Sequence, residues 1–494
     1  MRNFQVAKTK DRMESEQHSV WLNAIIVIGM AFIVTGLLLL MSSTPENIGS
    51  LFVDNPLRIW ALFAIALVIL FTIHVFVGNM ERDGRTAQKY LLIVYVSILV
   101  TIGLTLVCYE FINPYIAPIT LLPVIITVFV GRRIAILCDG LFSALLLLAY
   151  MLVGPTGNML SSEVMSGIVS MLVGYFVVFF LNRTSNRTRY LVTGVGIALL
   201  SMPLAFASEL LVQLSSGTVD PLAMQGVLME SVKATLWSFA GNMLAVSIFL
   251  VTLPIFESVF KICTDFKLSE YCNFRVKVLR ELAEIAPGTF NHCMMVGVLA
   301  ESCAIAIGEN PQLARTCAYY HDVGKTRSPE FFAENQHGGV NPHDDIIPEV
   351  SAKKITSHAQ YGYDMLKKRG YPEEIAKVCL EHHGTMPVSY FYRKADKISD
   401  GNAELAKFSY PGPKPTSKVA AIIMLADASE AAARAAVHKV PLDVIVGNIF
   451  KERMDYGQFD DCPITFDDLH KIKMTIIEVL DGIHHNRVSY TPKI

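Results

Sequence analysis

No two of the nine cysteines form a CxxC pair, which leaves no zinc ribbon and no disulfide framework. Their scatter fits buried thiols in a reducing cytosol. Charge is scarce as well. Only 17% of residues are Asp, Glu, Lys or Arg, and the net charge is −2, so no basic groove for a nucleic-acid polymer runs over the surface. A local cationic site stays open. The apolar half also shows no obvious internal repeat, which weakens a transporter reading.

What the chain has instead is apolar length. Of its 494 residues 52% are hydrophobic, and the mean hydropathy is +0.42. The excess sits between residues 20 and 260; the remainder has ordinary globular composition. A helical span needs about 20 apolar residues, and eight segments qualify: 21–42, 59–79, 90–109, 113–130, 134–153, 164–182, 190–212 and 235–256. The first is too long for a secretory h-region, so it reads as a retained anchor.

Alternate short loops carry the cations: Arg2, Lys8, Lys10 and Arg12; Arg82, Arg85 and Lys89; Arg132 and Arg133; Arg183, Arg187 and Arg189. The intervening loops have few, chiefly Arg58 and Lys233. The positive-inside rule then places both termini in the cytosol with an even number of spans. Asp139 and Glu209 fall within spans, where a carboxylate either reaches an interface or serves transport or sensing. Pro114, Pro118 and Pro123 predict kinks in the fourth span.

The expected architecture is all-α: a polytopic membrane helix bundle followed by a cytosolic helical bundle. The parts are a cytosolic tail (1–20), a first anchor (21–42), a membrane core of seven helices (57–256), a helical joint (257–286) and a catalytic domain (287–494). In that domain Thr289 predicts a cap for a helix over 290–307, Gly324 a helix stop, and further helices fall near 349–369, 372–383 and 417–437.

Seven residues there are neutral-imidazole or carboxylate ligands: His292, His321, Asp322, His358, His382, His383 and Asp427. Each lies in a segment that reads as helix, and a helical bundle can project all of them into one pocket. Such donors suit Mn, Fe or Zn, and a carboxylate such as Asp322 can bridge two ions. Paired metals clamp the attacking and leaving oxygens of a phosphoester. Lys325 would neutralise phosphate charge. A lone HD pair is weak; the ordered set H…HD…H…HH…D over about 136 residues is specific. His343 and Asn341 in the polar loop are candidate substrate contacts, and Tyr390 and Tyr392 candidate stacking partners for a base. His337 and the doublet His484-His485 read as loop or surface residues.

The segments APGTFNHCMMVGVLAE, ARTCAYYHDVGK, NPHDD, EHHGTMPVSYFY and PGPKPTSKVAAIIMLADASEAA resemble the HD superfamily of metal-dependent phosphohydrolases. More narrowly they resemble the seven-transmembrane HD proteins of the PgpH type, from about residue 57 to the end. That resemblance implies a bacterial cell-membrane enzyme hydrolysing cyclic di-AMP to the linear dinucleotide pApA by a metal-bound hydroxide. It also implies two divalent ions, Mn or Fe, held by the seven residues above. The implied partners are the cyclic dinucleotide and the lipid bilayer, with a homodimer left open.

Two departures from the family stand out. Val323 replaces the Ile of its HDIG motif. Seventeen residues, SSTPENIGSLFVDNPLR, occupy the place of a large extracellular domain. The alternatives are an HD enzyme for another nucleotide such as cyclic di-GMP, or a membrane receptor whose HD domain only binds ligand. Gly370-Tyr371-Pro372 precedes the histidine doublet instead of following it, which argues against cyclic di-GMP; it reads as a helix break with Pro372 at the first helical position.

Overall fold

The computed structural model describes residues 2–42, 52–53, 56–80, 84–153, 161–181, 187–215, 221–336, 341–435 and 440–484. Residues 43–51 and 54–55 of the short first loop, together with Arg82, Arg183, His337 and His485, lie outside the described residues. The chain forms two compact units, divided in sequence between Thr264 and Asp265. Among the described residues both are helical, and the one β feature is an isolated bridge between Pro387 and Ser409.

The first unit contains α1 (Arg2–Ser42), α2 (Pro56–Met80), α3 (Gly84–Phe111), α4 (Leu121–Phe129), α5 (Arg132–Val153), α6 (Ser162–Phe180), α7 (Arg187–Ser215) and α8 (Pro221–Phe260). Seven of these are long and apolar enough to cross a bilayer. Their outward faces carry bare apolar side chains, such as Phe71, Phe179 and Val251. Water would penalise that surface and lipid does not. The chain is a multi-pass membrane protein.

The fourth expected span is not a continuous helix. Pro114–Ile116 forms one 3-10 turn, residues 117–120 have no helical run, and α4 covers only nine residues. Pro114 and Pro118 withhold the backbone donors that a continuous helix needs. Within the apolar unit the linking residues turn instead of extending: the Ile119 N–H donates to Ala117 O at 2.8 Å and the Leu121 N–H to Pro118 O at 3.0 Å. Irregular backbone at that depth must be enclosed by protein, and Tyr115, Ile119, Leu122 and Ile126 are buried. Gly241 lets α8 lie directly on the Ile116 backbone, while Thr120 donates to Asn242 at 2.9 Å.

Asp139 and Glu209 are both buried. Glu209 accepts from Ser162 at 2.8 Å and from Gln213 at 2.7 Å. Asp139 lies against Gly174 with neither oxygen hydrogen-bonded.

The second unit runs α9 (Asp265–Tyr271), α10 (Lys277–Ile285), α11 (Pro287–Ile307), α12 (Pro311–Tyr320), α13 (Pro348–Lys368), α14 (Glu373–Ala376), α15 (Val378–Glu381), α16 (Ser389–Ile398), α17 (Lys418–Ala435), α18 (Leu442–Asp455) and α19 (Phe466–His484). By length and composition α11 would also pass for a membrane span. Its apolar face is instead buried within this unit, where it packs on α12, α17 and α19. The innermost helix is α17, whose residues from Val419 to Asp427 are all buried.

Candidate metal centre

Three of the seven expected ligands sit inside helices: His292 on α11, His358 on α13 and Asp427 on α17. The other four lie at helix ends. His321 caps α12, and Asp322 precedes a 3-10 turn at Val323–Arg327. The expected helix over 372–383 divides into α14 and α15, with His382 as the cap of the latter and His383 beyond it. Gly370 takes a positive φ of 77° to end α13, and Pro372 stands at the N-cap of α14, one residue before the first helical position. Ends suit ligands because the side chain there can leave the helix axis.

Thr289 is not a cap either: α11 begins two residues earlier, behind Ala286. Its hydroxyl donates to Glu334 at 3.1 Å, and its backbone N–H donates to the Asn335 side chain, also at 3.1 Å. Gly324 is a place of close approach and does not end α12. A methyl group there would run into the His358 carbonyl and the Gly362 nitrogen of α13. The HD turn therefore lies directly on the α13 backbone.

All seven side chains reach one locality. Ligand atoms lie within 4.8 Å of one another in each of three overlapping groups: Asp322 with His358, His382 and His383; His292 with His321 and Asp322; and His321 with His382 and Asp427. Asp322 divides its two oxygens between them. Oδ1 is 3.1 Å from His358 Nε2 and 3.5 Å from His382 Nε2. Oδ2 is 3.4 Å from His321 Nε2 and 3.8 Å from His292 Nε2. Asp427 closes the second group, with Oδ1 2.9 Å from His292 Nε2, and places Oδ2 3.7 Å from His383 Nδ1.

The outer ring nitrogens are tethered. Nδ1 of His321 donates to Ala318 O at 2.6 Å, that of His358 to Ile355 O at 2.6 Å, and that of His382 to Val378 O at 3.0 Å. His292 Nδ1 is held by Glu430. Such tethers fix the tautomer and aim Nε2 inward. His321 Nε2 and both Asp322 oxygens are buried yet lack a hydrogen-bond partner of proper geometry. Buried polar atoms are rarely left so, and these are the donor types that divalent transition metals prefer. The residues fit a metal.

Electrostatics agree. Burial alone would push the Asp322 carboxyl up, but Lys325 and His321 beside it hold it well below the usual range. Burial likewise opposes charge on His292, yet hydrogen bonds to Asp427 and Glu430 carry it up to about 9. Lys325 stays firmly charged because Asp322 and Glu334 outweigh its desolvation. Its Nζ lies 2.6 Å from Asp322 Oδ2 and 2.9 Å from Glu334 Oε1. Burial and the neighbouring His382 depress His383.

The centre opens into a cavity of about 240 Å³, lined by Lys325, Tyr410, Arg434 and Arg453 among others. The four expected substrate contacts are not among its lining residues. His343 is buried between the rings of Phe331 and Phe391, with Nε2 2.9 Å from Phe331 O. Asn341 accepts from the His343 backbone at 3.1 Å, a local turn bond. Tyr390 is 69% exposed, and Tyr392 packs on Phe408.

Sequence reading missed Glu430 altogether. Its signal was its place three residues after Asp427, on the same face of one helix.

Residues 289–432 match the HD domain family, and residues 56–264 match the family described as a 7TM receptor with intracellular HD hydrolase. The cyclic-di-AMP phosphodiesterase PgpH of Bacillus subtilis is 34% identical over 76% of this chain and 51% of its own length. PgpH of Listeria monocytogenes is 31% identical over 88% of this chain and 59% of its own. The chain thus spans about half to three-fifths of these relatives. The crystal structure of the L. monocytogenes PgpH HD domain is 41% identical, covering 43% of this chain and all of that one, with a TM-score of 0.41. The same domain has also been solved in complex with cyclic-di-AMP. Both parts of the chain are thus matched: its membrane unit carries the domain described as a 7TM receptor with intracellular HD hydrolase, and its histidine–aspartate centre lies within an HD domain.

Proposed function

We propose that this protein is a membrane-anchored, metal-dependent phosphodiesterase that opens cyclic di-AMP to the linear dinucleotide pApA. The observation that carries the reading is Asp322, which turns one carboxylate oxygen to each of two histidine sets. His292, His321 and Asp427 would hold one divalent ion with Oδ2; His358, His382 and His383 would hold a second with Oδ1. Mn or Fe suits these donors. When bound, such a pair supplies Lewis acidity to the phosphoryl oxygens and makes a nucleophile available at neutral pH. The substrate assignment rests on the activity for which the PgpH relatives are named.

The protein's own groups do the rest. Lys325, anchored by Glu334, offers its protons to a phosphate oxygen as charge builds there. Tyr410 lies against His383 with ring centroids 4.3 Å apart and shields that ligand from solvent. In the reaction a water oxygen bonds to phosphorus, the bond from phosphorus to a ribose 3′ oxygen breaks, and that oxygen takes up a proton. One ring opening leaves a 5′-phosphate and a free 3′-hydroxyl. The cations flanking the spans favour cytosolic termini in a bacterial cell membrane.

The test uses the full chain in detergent, loaded with Mn²⁺ or treated with EDTA, against cyclic di-AMP, cyclic di-GMP and simple nucleotides. Cyclic di-AMP should give pApA only with metal, and Asp322→Ala should lose metal and turnover together. Preference for cyclic di-GMP would overturn the substrate. Unchanged ligand binding in Asp322→Ala, with no turnover in either protein, would favour a receptor.

A further inference from the structure

A second cavity, of about 180 Å³, adjoins the metal centre. His358 and Phe332 line both cavities and form the wall between them. The remaining lining holds three cations, Arg327, Lys353 and Lys354, among Gly324, Ser328, Val350, Ser357 and Tyr361, and no acid. Geometry explains the clustering. Val350, Lys353, Lys354, Ser357, His358 and Tyr361 recur along α13 at steps of three and one, which places them on one face of the helix. A metal ligand therefore shares a face with a row of cations. Arg327 arrives from the turn after Asp322 and stacks its guanidinium 3.8 Å from the Tyr361 ring centroid.

These charges differ from the others near the centre. Lys325 is paired with Asp322 and Glu334, Arg434 with Glu430 and Arg453 with Glu452. Among the described residues, no acid pairs with Arg327, Lys353 or Lys354. Three like charges beside one cavity repel one another, and an anion shared among them relieves that repulsion.

We infer that the cavity formed by Arg327, Lys353 and Lys354 beside His358 is an anion subsite that takes the second, uncleaved phosphate of a cyclic dinucleotide while the first lies at the metal centre. The inference rests on the proposed phosphodiesterase activity. It adds a source of selectivity: a diester with one phosphate can reach the metal cavity but leaves this subsite empty. Arg327, pre-stacked on Tyr361, presents a planar fork to phosphate oxygens, and the two lysines supply point charges.

The experiment compares cyclic di-AMP with bis(p-nitrophenyl) phosphate, a diester with a single phosphate, on the Mn²⁺-loaded full chain. In the double variant Arg327→Gln/Lys354→Gln, the ratio of kcat/KM for cyclic di-AMP over the single-phosphate diester should fall about tenfold or more, mostly through KM. Arg327→Lys should restore part of the ratio. An unchanged ratio, whether both activities hold or both fall together, overturns the subsite, and the second pattern marks a structural role. If the wild type cleaves the single-phosphate diester but no cyclic dinucleotide, the function proposed above fails first and the subsite with it.

Discussion

Glu430 holds the outer nitrogen of His292, a residue 138 positions away in the chain, and so orients the one imidazole that α11 brings to the centre. Replacing Glu430 with Gln keeps an acceptor but removes the charge that makes the imidazole a stronger donor to metal. Mn²⁺ affinity should fall about 10–100-fold while the helical content of the protein is retained. Metal titration followed by calorimetry, with circular dichroism alongside, reads both. Unaltered affinity would reduce Glu430 to packing.

Gly324→Ala should be costly although the residue binds nothing. The added methyl meets the His358 carbonyl and the Gly362 nitrogen, neither of which can rotate away. Overpacking of this kind costs about 1–3 kcal/mol. The variant should melt earlier and hold metal less tightly, because His358 must shift. A melting temperature equal to that of the wild type would show that α13 yields without strain.

Asp468 ties down the start of α19. It accepts from the Thr465 N–H at 3.0 Å, and its own N–H donates to Thr465 Oγ1 at 3.1 Å, a reciprocal cap. Lys418 Nζ lies 3.0 Å away. Burial works against the charge, yet the Thr465 and Lys418 bonds prevail and hold the carboxyl below its ordinary 3.8. A depressed carboxylate stabilises the fold above its unfolded pKa, and that stabilisation disappears as pH falls through the folded value. Asp468→Asn should therefore cost about 1 kcal/mol at pH 7, with the gap closing as the pH falls below 3.8. Thermal melts across that range decide it; a gap independent of pH would refute the ionic part.

Chelation should destabilise the catalytic unit. Stripped of metal, the centre buries the Asp322 and Asp427 carboxylates with the His321 Nε2 and both Asp322 oxygens lacking a hydrogen-bond partner. Restoring Mn²⁺ at a hundred times its dissociation constant adds about 2.7 kcal/mol per site, or roughly 5–10 °C in a unit of this size. Differential scanning calorimetry with and without EDTA measures the shift. No shift at saturating Mn²⁺ would mean that these residues do not bind it.

Much of this was legible because the chemistry is concentrated in rare letters. Histidine and aspartate at seven ordered places announce a metal centre, and twenty-residue apolar runs announce membrane. What escaped depends on contacts between distant backbones. Nothing local in HDVGK shows that Gly324 faces α13, so it read as a stop. The prolines at 114, 118 and 123 foretold a disturbance, but only packing shows a 3-10 turn and a nine-residue helix in place of a kink. His343 and Asn341, expected as substrate contacts because they are polar and close to the motif, respectively pack between aromatic rings and accept within a turn. No role for Lys353 and Lys354 was legible, since their neighbour across the cavity, Arg327, comes from another element.

The bare contact between Gly324 and α13 has a mechanical side. With no side chain between the two segments there is no compressible layer, so a push on one is delivered undiminished to the other. Asp322, two residues before Gly324, and His358, whose carbonyl Gly324 abuts, must travel as one block. Any influence that slows this centre without dismantling it would have to act on the partners outside that block, α11 and α17, which bring His292 and Asp427 from the opposite side.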